Sequence, residues 1–217
     1  MTTTTLRRNW TDSLRVTGFI EPAENERWAI EQVVPDSPFG GSMGGVFRTG
    51  RGIVKEGETY TVLYRKSDRG GRTLVMSDTP DELRDMLPIR FAAPRGRVLV
   101  NGLGLGCAVK GLLSLEEVEH IDVVEFSPEI IELVGPYYDD DRVTIHEGDA
   151  FTFTWPPGTR WDFAWHDVWD DLCVSNLTEA GGDARPGSYE KLHRRYARRV
   201  RVQASWGWEF LQRQRRF

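Results

Sequence analysis

A run of alternating glycines and a set of acidic residues stand at spacings that suit a nucleoside-bearing cofactor. Val98-Leu-Val-Asn-Gly102-Leu-Gly104-Leu-Gly106 reads as a strand running through a glycine turn into a helix. Alternate glycines permit a tight turn, and backbone N–H groups at the helix start can then approach a nucleoside or an acidic tail. Glu125 lies 19 residues beyond Gly106 and ends the next apolar run. A carboxylate there can accept both ribose hydroxyl protons. Asp149, in Glu147-Gly-Asp149-Ala150, follows a third run and can accept from an adenine amino group. Its plainer use is to bond its own backbone in a turn. A fourth run leads into Asp167-Val-Trp169-Asp170-Asp171. Asp167 and Asp170 are expected to face the reactive end of the cofactor, where a carboxylate orients a nucleophile and takes its proton. The plainer role of Asp170 is to cap the following helix; for Asp167 catalysis and capping stand level.

Two adenine cofactors compete for this pattern. The dinucleotide fingerprint G-x-G-x-x-G needs a glycine at 107 or 109, and those positions are Cys107 and Val109. The observed G-x-G-x-G, with acidic residues at two further strand ends, points to S-adenosylmethionine. The expected cofactor-binding set is Gly102, Gly104, Gly106, Glu125, Asp149 and Ala150. No metal is expected, because the four histidines are scattered and the cysteines are only Cys107 and Cys173.

The elements that must position these residues alternate from Arg97 onward. Strands are expected over Arg97–Asn101, His120–Glu125, Arg142–His146, Trp161–His166 and Val200–Ala204. Helices are expected at Gly106–Leu115 and Ser127–Val134, the second with Ser127 as cap and Pro128 at its first position. Strands joined by helix-length connections imply an α/β, Rossmann-like, doubly wound and mostly parallel sheet, with ligands at the carboxyl ends of the strands. The expected strand order is 3-2-1-4-5. His166 reads as a core or edge histidine rather than a catalytic one.

The first 94 residues read differently. Residues 1–20 show no period and are expected as a loose arm, and Arg27–Val34 fits a short helix or a strand. The stretch 39–52 holds six glycines and reads as a surface loop or a lid. Tyr60–Tyr64 and Arg72–Ser77 flank Ser67-Asp-Arg-Gly-Gly71, a β-hairpin pattern. Thr79, Pro80 and Glu82 then open a helix in capping-box spacing, and the helix ends before Pro94. The chain is thus expected to divide near residue 95, into an N-terminal hairpin region (1–94) and a cofactor-binding core (95–217).

Composition bounds the rest. No apolar run approaches the roughly 20 residues of a membrane span, and the threonine-rich start lacks the apolar stretch of a secretory signal. A cytoplasmic protein with reduced cysteines is expected. The net charge of −5 hides an acidic block, Glu116–Asp171, with 16 acidic residues against Arg142 and Arg160, and a basic one, Ser188–Phe217, with nine basic residues against Glu190 and Glu209. The arginines near Tyr196 and Trp206 could contact nucleic acid, but the negative overall charge does not favour it, and a solvated helix face is the plainer reading. The eight tryptophans suit an acceptor pocket or a subunit interface, as in a homodimer.

The stretch Arg97–Asp171 resembles class I S-adenosylmethionine-dependent methyltransferases, in their spermidine-synthase-like branch. The resemblance is carried by the strand and glycine turn, Val124-Glu125-Phe-Ser-Pro128, Gly148-Asp149-Ala150, and Asp162 with Asp167 and Asp170. It implies that Gly102, Gly104, Gly106, Glu125 and Asp149 hold the cofactor while Asp167 and Asp170 face the acceptor. This chain has Leu105 where aminopropyltransferases carry an aspartate, and Thr61 after Tyr60 where they carry a glutamine. A counterpart of that family's sixth and seventh strands is not expected after Ala204. A trimmed methyltransferase-like protein with an unknown small or macromolecular acceptor therefore fits better. Aminopropyl transfer and a non-catalytic binding module are the alternatives.

Overall fold

The computed structural model describes residues 10–34, 54, 57–169 and 188–207. Asp170, Asp171, Cys173, Trp208 and the glycine-rich stretch 40–52 lie outside them.

Residues 10–20 anchor the N-terminal part to the core rather than forming an arm. Residues 10–14 are helical, and Trp10, Leu14, Val16 and Ile20 are buried in the main core. The Trp10 indole donates to the Gly111 carbonyl at 3.2 Å. Asp78, itself buried, accepts from the backbone N–H groups of Val16, Thr17 and Thr61 at 2.7–3.0 Å. The expectation of a loose arm is corrected here for residues 10–20, because isolated apolar residues without a period found partners far along the chain.

Strands β1 (Ala23–Glu24), β2 (Trp28–Val33), β3 (Tyr60–Lys66) and β4 (Arg72–Ser77) form an antiparallel sheet in that order. The hairpin read from the sequence is its β3–β4 pair, and Arg27–Val34 resolves as strand. Helices α1 (Pro80–Asp85) and α2 (Leu87–Phe91) follow, where a single helix was expected. The break falls at Met86, just before the Leu87-Pro88 pair, where proline favours a new first turn.

The α/β part is built from β5 (Gly96–Asn101), α3 (Cys107–Leu113), β6 (Val118–Glu125), α4 (Pro128–Val134), β7 (Val143–Glu147), β8 (Trp161–His166), α5 (Tyr189–Tyr196) and β9 (Val200–Ser205). The five strands are parallel, in the order β7-β6-β5-β8-β9. That is the expected 3-2-1-4-5 order of a Rossmann-like sheet. Ser127 caps α4, accepting from the Ile130 N–H at 3.4 Å.

One buried carboxylate joins four strands. Asp122 on β6 accepts from Arg97 on β5 at 2.6 and 3.0 Å, and from the Trp161 indole on β8 at 2.7 Å. His146 on β7 donates to it at 3.1 Å. Burial alone would raise its pKa, but the hydrogen bonds from Arg97, Trp161 and His146 outweigh burial and hold it below the ordinary value. The expectation that no histidines come together is corrected by this node, which also draws His120 to 3.6 Å of Asp122.

Residues from both sheets share one hydrophobic cluster, from Trp10 and Trp28 to Phe163 and Trp165. Among the described residues no helix is long and apolar enough to cross a membrane.

Candidate functional site

The carboxyl ends of β5, β6, β7 and β8 open into one cavity of about 310 Å³. It is lined by Gly102, Leu103 and Gly104 after β5, Glu125 and Phe126 after β6, Asp149 and Ala150 after β7, and Asp167 after β8. Trp28, Met76 and Glu82 close it from the N-terminal part. Its size lies at the low end of the roughly 300–1,000 Å³ of small-molecule pockets. Gly106 is an expected site residue that does not line it, and Asp170 lies outside the described residues.

The glycine turn is shaped by what presses on it. Gly102 has φ +96°, and a Cβ there would overlap the Asp167 carbonyl. Its N–H donates to the Val124 carbonyl at 2.8 Å, while the Asp167 N–H donates to the Asn101 carbonyl at 2.8 Å. The turn is therefore laced to the ends of both neighbouring strands. Gly106 caps α3 at φ +73°, with the Tyr138 ring where its side chain would be. Gly104 meets the Met76 sulfur of β4, which also accepts from the Leu105 N–H at 3.3 Å. These glycines let protein close on protein, as well as leaving the cavity wall free of side chains.

Glu125 is 8% exposed and forms the hinge of the wall. Its Oε2 accepts from the Leu103 N–H at 2.7 Å and its Oε1 from the Ser127 N–H at 2.8 Å. An ionised carboxylate offers about four acceptor positions, so two remain after these bonds. Asp149 makes the turn bond weighed from the sequence: its Oδ1 accepts from the Phe151 N–H at 2.8 Å. It still lines the cavity, so the turn bond orients the carboxylate there. Phe126, 65% exposed, stands beside Glu125 at the rim.

Beyond Asp167, Trp169 stacks on Tyr189 of α5 with ring centroids 3.7 Å apart. Trp206 lines the same side, and its indole N–H is buried with no acceptor among the described residues.

Glu82 was read from the sequence as part of a helix cap, and that reading is corrected. The Thr79 side chain makes no cap bond and pairs instead with Ser77 at 2.9 Å. Ser77 donates to Glu82 at 3.3 Å, and Glu82 turns to the cavity. Its pKa is pushed up to about 8, first by burial, then by the negative charges of Asp167 and Asp85. Trp28 and Met76 were also missed. A strand that reaches the site from the far side of a turn carries no local signature of doing so.

His166 is fully buried behind Asp167. Gln203 donates to the His193 carbonyl at 3.0 Å, which turns its Oε1 to His166 Nε2 at 3.1 Å. His166 Nε2 is therefore the protonated nitrogen, and Nδ1 accepts from Asn101 at 2.7 Å. Burial and neighbouring His193 lower its pKa to about 3. It is a neutral core histidine, joining the ends of β5, β8 and β9. Among the described residues no group of histidine, cysteine and acidic side chains could hold a metal.

Three arginines in the described part of the basic segment are tied to their own chain. Arg195 donates to the Phe153 carbonyl, Arg199 to those of Pro156 and Thr159, and Arg201 pairs with Asp162.

No family model matches the chain. Over 90 residues it is 33% identical to the ribosomal RNA small subunit methyltransferase A of Aromatoleum aromaticum, a match covering 42% of this chain and 32% of that protein. The chain thus spans about a third of the length of this curated relative. Among solved structures, the CcbJ methyltransferase of Streptomyces caelestis aligns over 54% of this chain and 43% of its own, at TM-score 0.39 and 16% identity. CalS10, an amino pentose methyltransferase of Micromonospora echinaspora solved with SAM bound, aligns over 50% and 39%, at TM-score 0.33 and 21% identity.

Proposed function

We propose that this chain binds S-adenosylmethionine and is a methyltransferase-like protein whose acceptor is unknown. One observation carries the reading: Asp149, Glu125, the glycine turn and Asp167 stand in strand order along one wall of a single cavity. The residues fit the cofactor. Glu125 keeps acceptor positions for ribose hydroxyls, Asp149 and Ala150 border an adenine subsite, and Gly102 and Gly104 leave room for the chain between. When bound, S-adenosylmethionine supplies an electrophilic methyl group on a sulfonium. The protein's part is to hold a nucleophile in line near Asp167, receive its proton there and keep water out with Trp169 and Trp206. Gly106 serves the turn by closing on Tyr138.

The N-terminal antiparallel sheet against the α/β core supports the likeness to the spermidine-synthase branch. Aminopropyl transfer to an amine is the second reading, since Asp167 suits an amine as well. Acceptors include small molecules and, as the named relative suggests, RNA; the internally bonded arginines favour the former. A cytoplasmic setting suits Cys107, a buried free thiol. Incubation with acceptor mixtures tests the reading: S-adenosylhomocysteine release supports methyl transfer and methylthioadenosine aminopropyl transfer. Binding without turnover would leave a non-catalytic module.

A further inference from the structure

We propose that Trp28 is a positioning residue for ribose recognition: through Ser127 it fixes the Glu125 carboxylate, so the N-terminal sheet takes part in selecting a ligand with both ribose hydroxyls. The inference rests on the S-adenosylmethionine reading and assigns a role to a residue outside the α/β core. Trp28, Ser127 and Glu125 all line the cavity. Trp28 opens β2 and is 7% exposed. Its indole donates to Ser127 Oγ at 3.0 Å. The same oxygen accepts from the Ile130 N–H at 3.4 Å, and its own proton goes to Glu129 at 2.7 Å. A hydroxyl has one donor and two acceptor positions, so Trp28 and Ile130 fill both acceptor positions and Glu129 takes the proton. Ser127 is thus held in one orientation, and its backbone N–H donates to Glu125 Oε1 at 2.8 Å.

Trp28 is itself placed by the turn before it. Asn25 Oδ1 accepts from the N–H groups of Arg27 and Trp28 at 3.2 and 3.0 Å. The Asn25 amide donates to the Glu129 carbonyl at 2.9 Å and to the Glu132 carboxylate at 3.3 Å. Arg27 pairs with Glu129 at 3.3 Å. The turn between β1 and β2 is therefore docked on α4, beside Ser127. From the other side, Glu125 Oε2 is fixed by the Leu103 N–H of the glycine turn at 2.7 Å. The last torsion of a glutamate side chain is soft, so a carboxylate held at one oxygen alone turns away from a pair of hydroxyls. Two N–H groups, one from each side, hold its plane, and Trp28 secures one of them.

The test is calorimetric titration of the full chain with S-adenosylhomocysteine and with the analogue of it that lacks both ribose hydroxyls. Wild type should prefer the intact ligand by roughly 10- to 100-fold, the factor expected for hydrogen bonds to a charged acceptor. Trp28→Phe keeps an aromatic ring in the wall and removes the donor, and the preference should fall roughly three- to tenfold, as for one lost hydrogen bond. Lost packing alone would weaken both ligands together and leave the preference unchanged. Ser127→Ala breaks the same link at its other end, at a half-buried position. It should lower the preference by a similar factor, and it carries the test where Trp28→Phe fails to fold. The double variant should lose no more than the larger single loss, because both changes act on one link. An unchanged preference in either folded variant overturns the proposal, as does a double variant whose losses multiply. A wild type that binds both ligands alike removes Glu125 from ribose recognition, and this inference with it. A wild type that binds neither sinks the cofactor reading itself.

Discussion

The backbone carbonyl of Asp167 fills the space where a side chain at Gly102 would begin. The turn that ends β5 and the segment that ends β8 are thereby one unit, further joined by the Asp167 N–H to Asn101 carbonyl bond. Gly102→Ala would force both a left-handed backbone on an L-residue and an overlap with main chain. Each effect costs about 1–3 kcal/mol. Urea unfolding should show a loss of roughly 2–6 kcal/mol, while Gly158→Ala, at a positive φ in open space, should show strain alone.

Glu125 makes a second prediction, because its two oxygens hold the two walls of the cavity together. Replacing it by glutamine leaves one backbone N–H facing an amide donor. An unsatisfied buried donor costs about 1–3 kcal/mol. Thermal melts should show Glu125→Gln destabilised without ligand, through Leu103 or Ser127.

Asp122 should matter more to the fold than any residue of the site. Asp122→Ala leaves Arg97, the Trp161 indole and His146 without their shared acceptor. Removing one partner of a buried charged pair costs about 3–5 kcal/mol. Denaturant unfolding should register that loss, and a stability within 1 kcal/mol of wild type, a margin smaller than one such bond, would contradict the four-strand node.

The pH dependence has two limbs of opposite sign. The folded pKa of Glu82 is raised to about 8, so the native state binds more protons than the unfolded chain between the ordinary carboxyl range and pH 8. Stability from this group falls as pH rises through that window. His166 is lowered to about 3, so the unfolded chain binds more protons between about 3 and 6.5, and stability falls as pH drops through it. Melting curves should show Glu82→Gln gaining on wild type as pH rises from the ordinary carboxyl range to about 8, with no further gain above it, and His166→Gln losing much of the acid limb below pH 6.5.

Much of the α/β part was legible because each strand ends in its own punctuation. Pro128 and Ser127 marked α4, and the runs at 97–101 and 161–166 are short, apolar and bounded. Glu125 and Asp149 were legible for the same reason, since parallel strands deliver their ends to one edge. Glu82 and Trp28 were not, because their presence at the cavity depends on how an antiparallel sheet packs across the glycine turn. Trp10–Ile20 were missed because single anchors have no period. Asp170 lies outside the described residues.

S-adenosylmethionine binding is the central claim. Calorimetric titration of the wild-type chain with S-adenosylmethionine and, separately, with NAD tests it most directly, with Glu125→Ala run alongside after its fold has been checked by circular dichroism. The expected result is a one-to-one complex with S-adenosylmethionine, no heat with NAD, and loss of most of the affinity in folded Glu125→Ala. Binding of NAD with none of S-adenosylmethionine, or full S-adenosylmethionine affinity in Glu125→Ala, would contradict it.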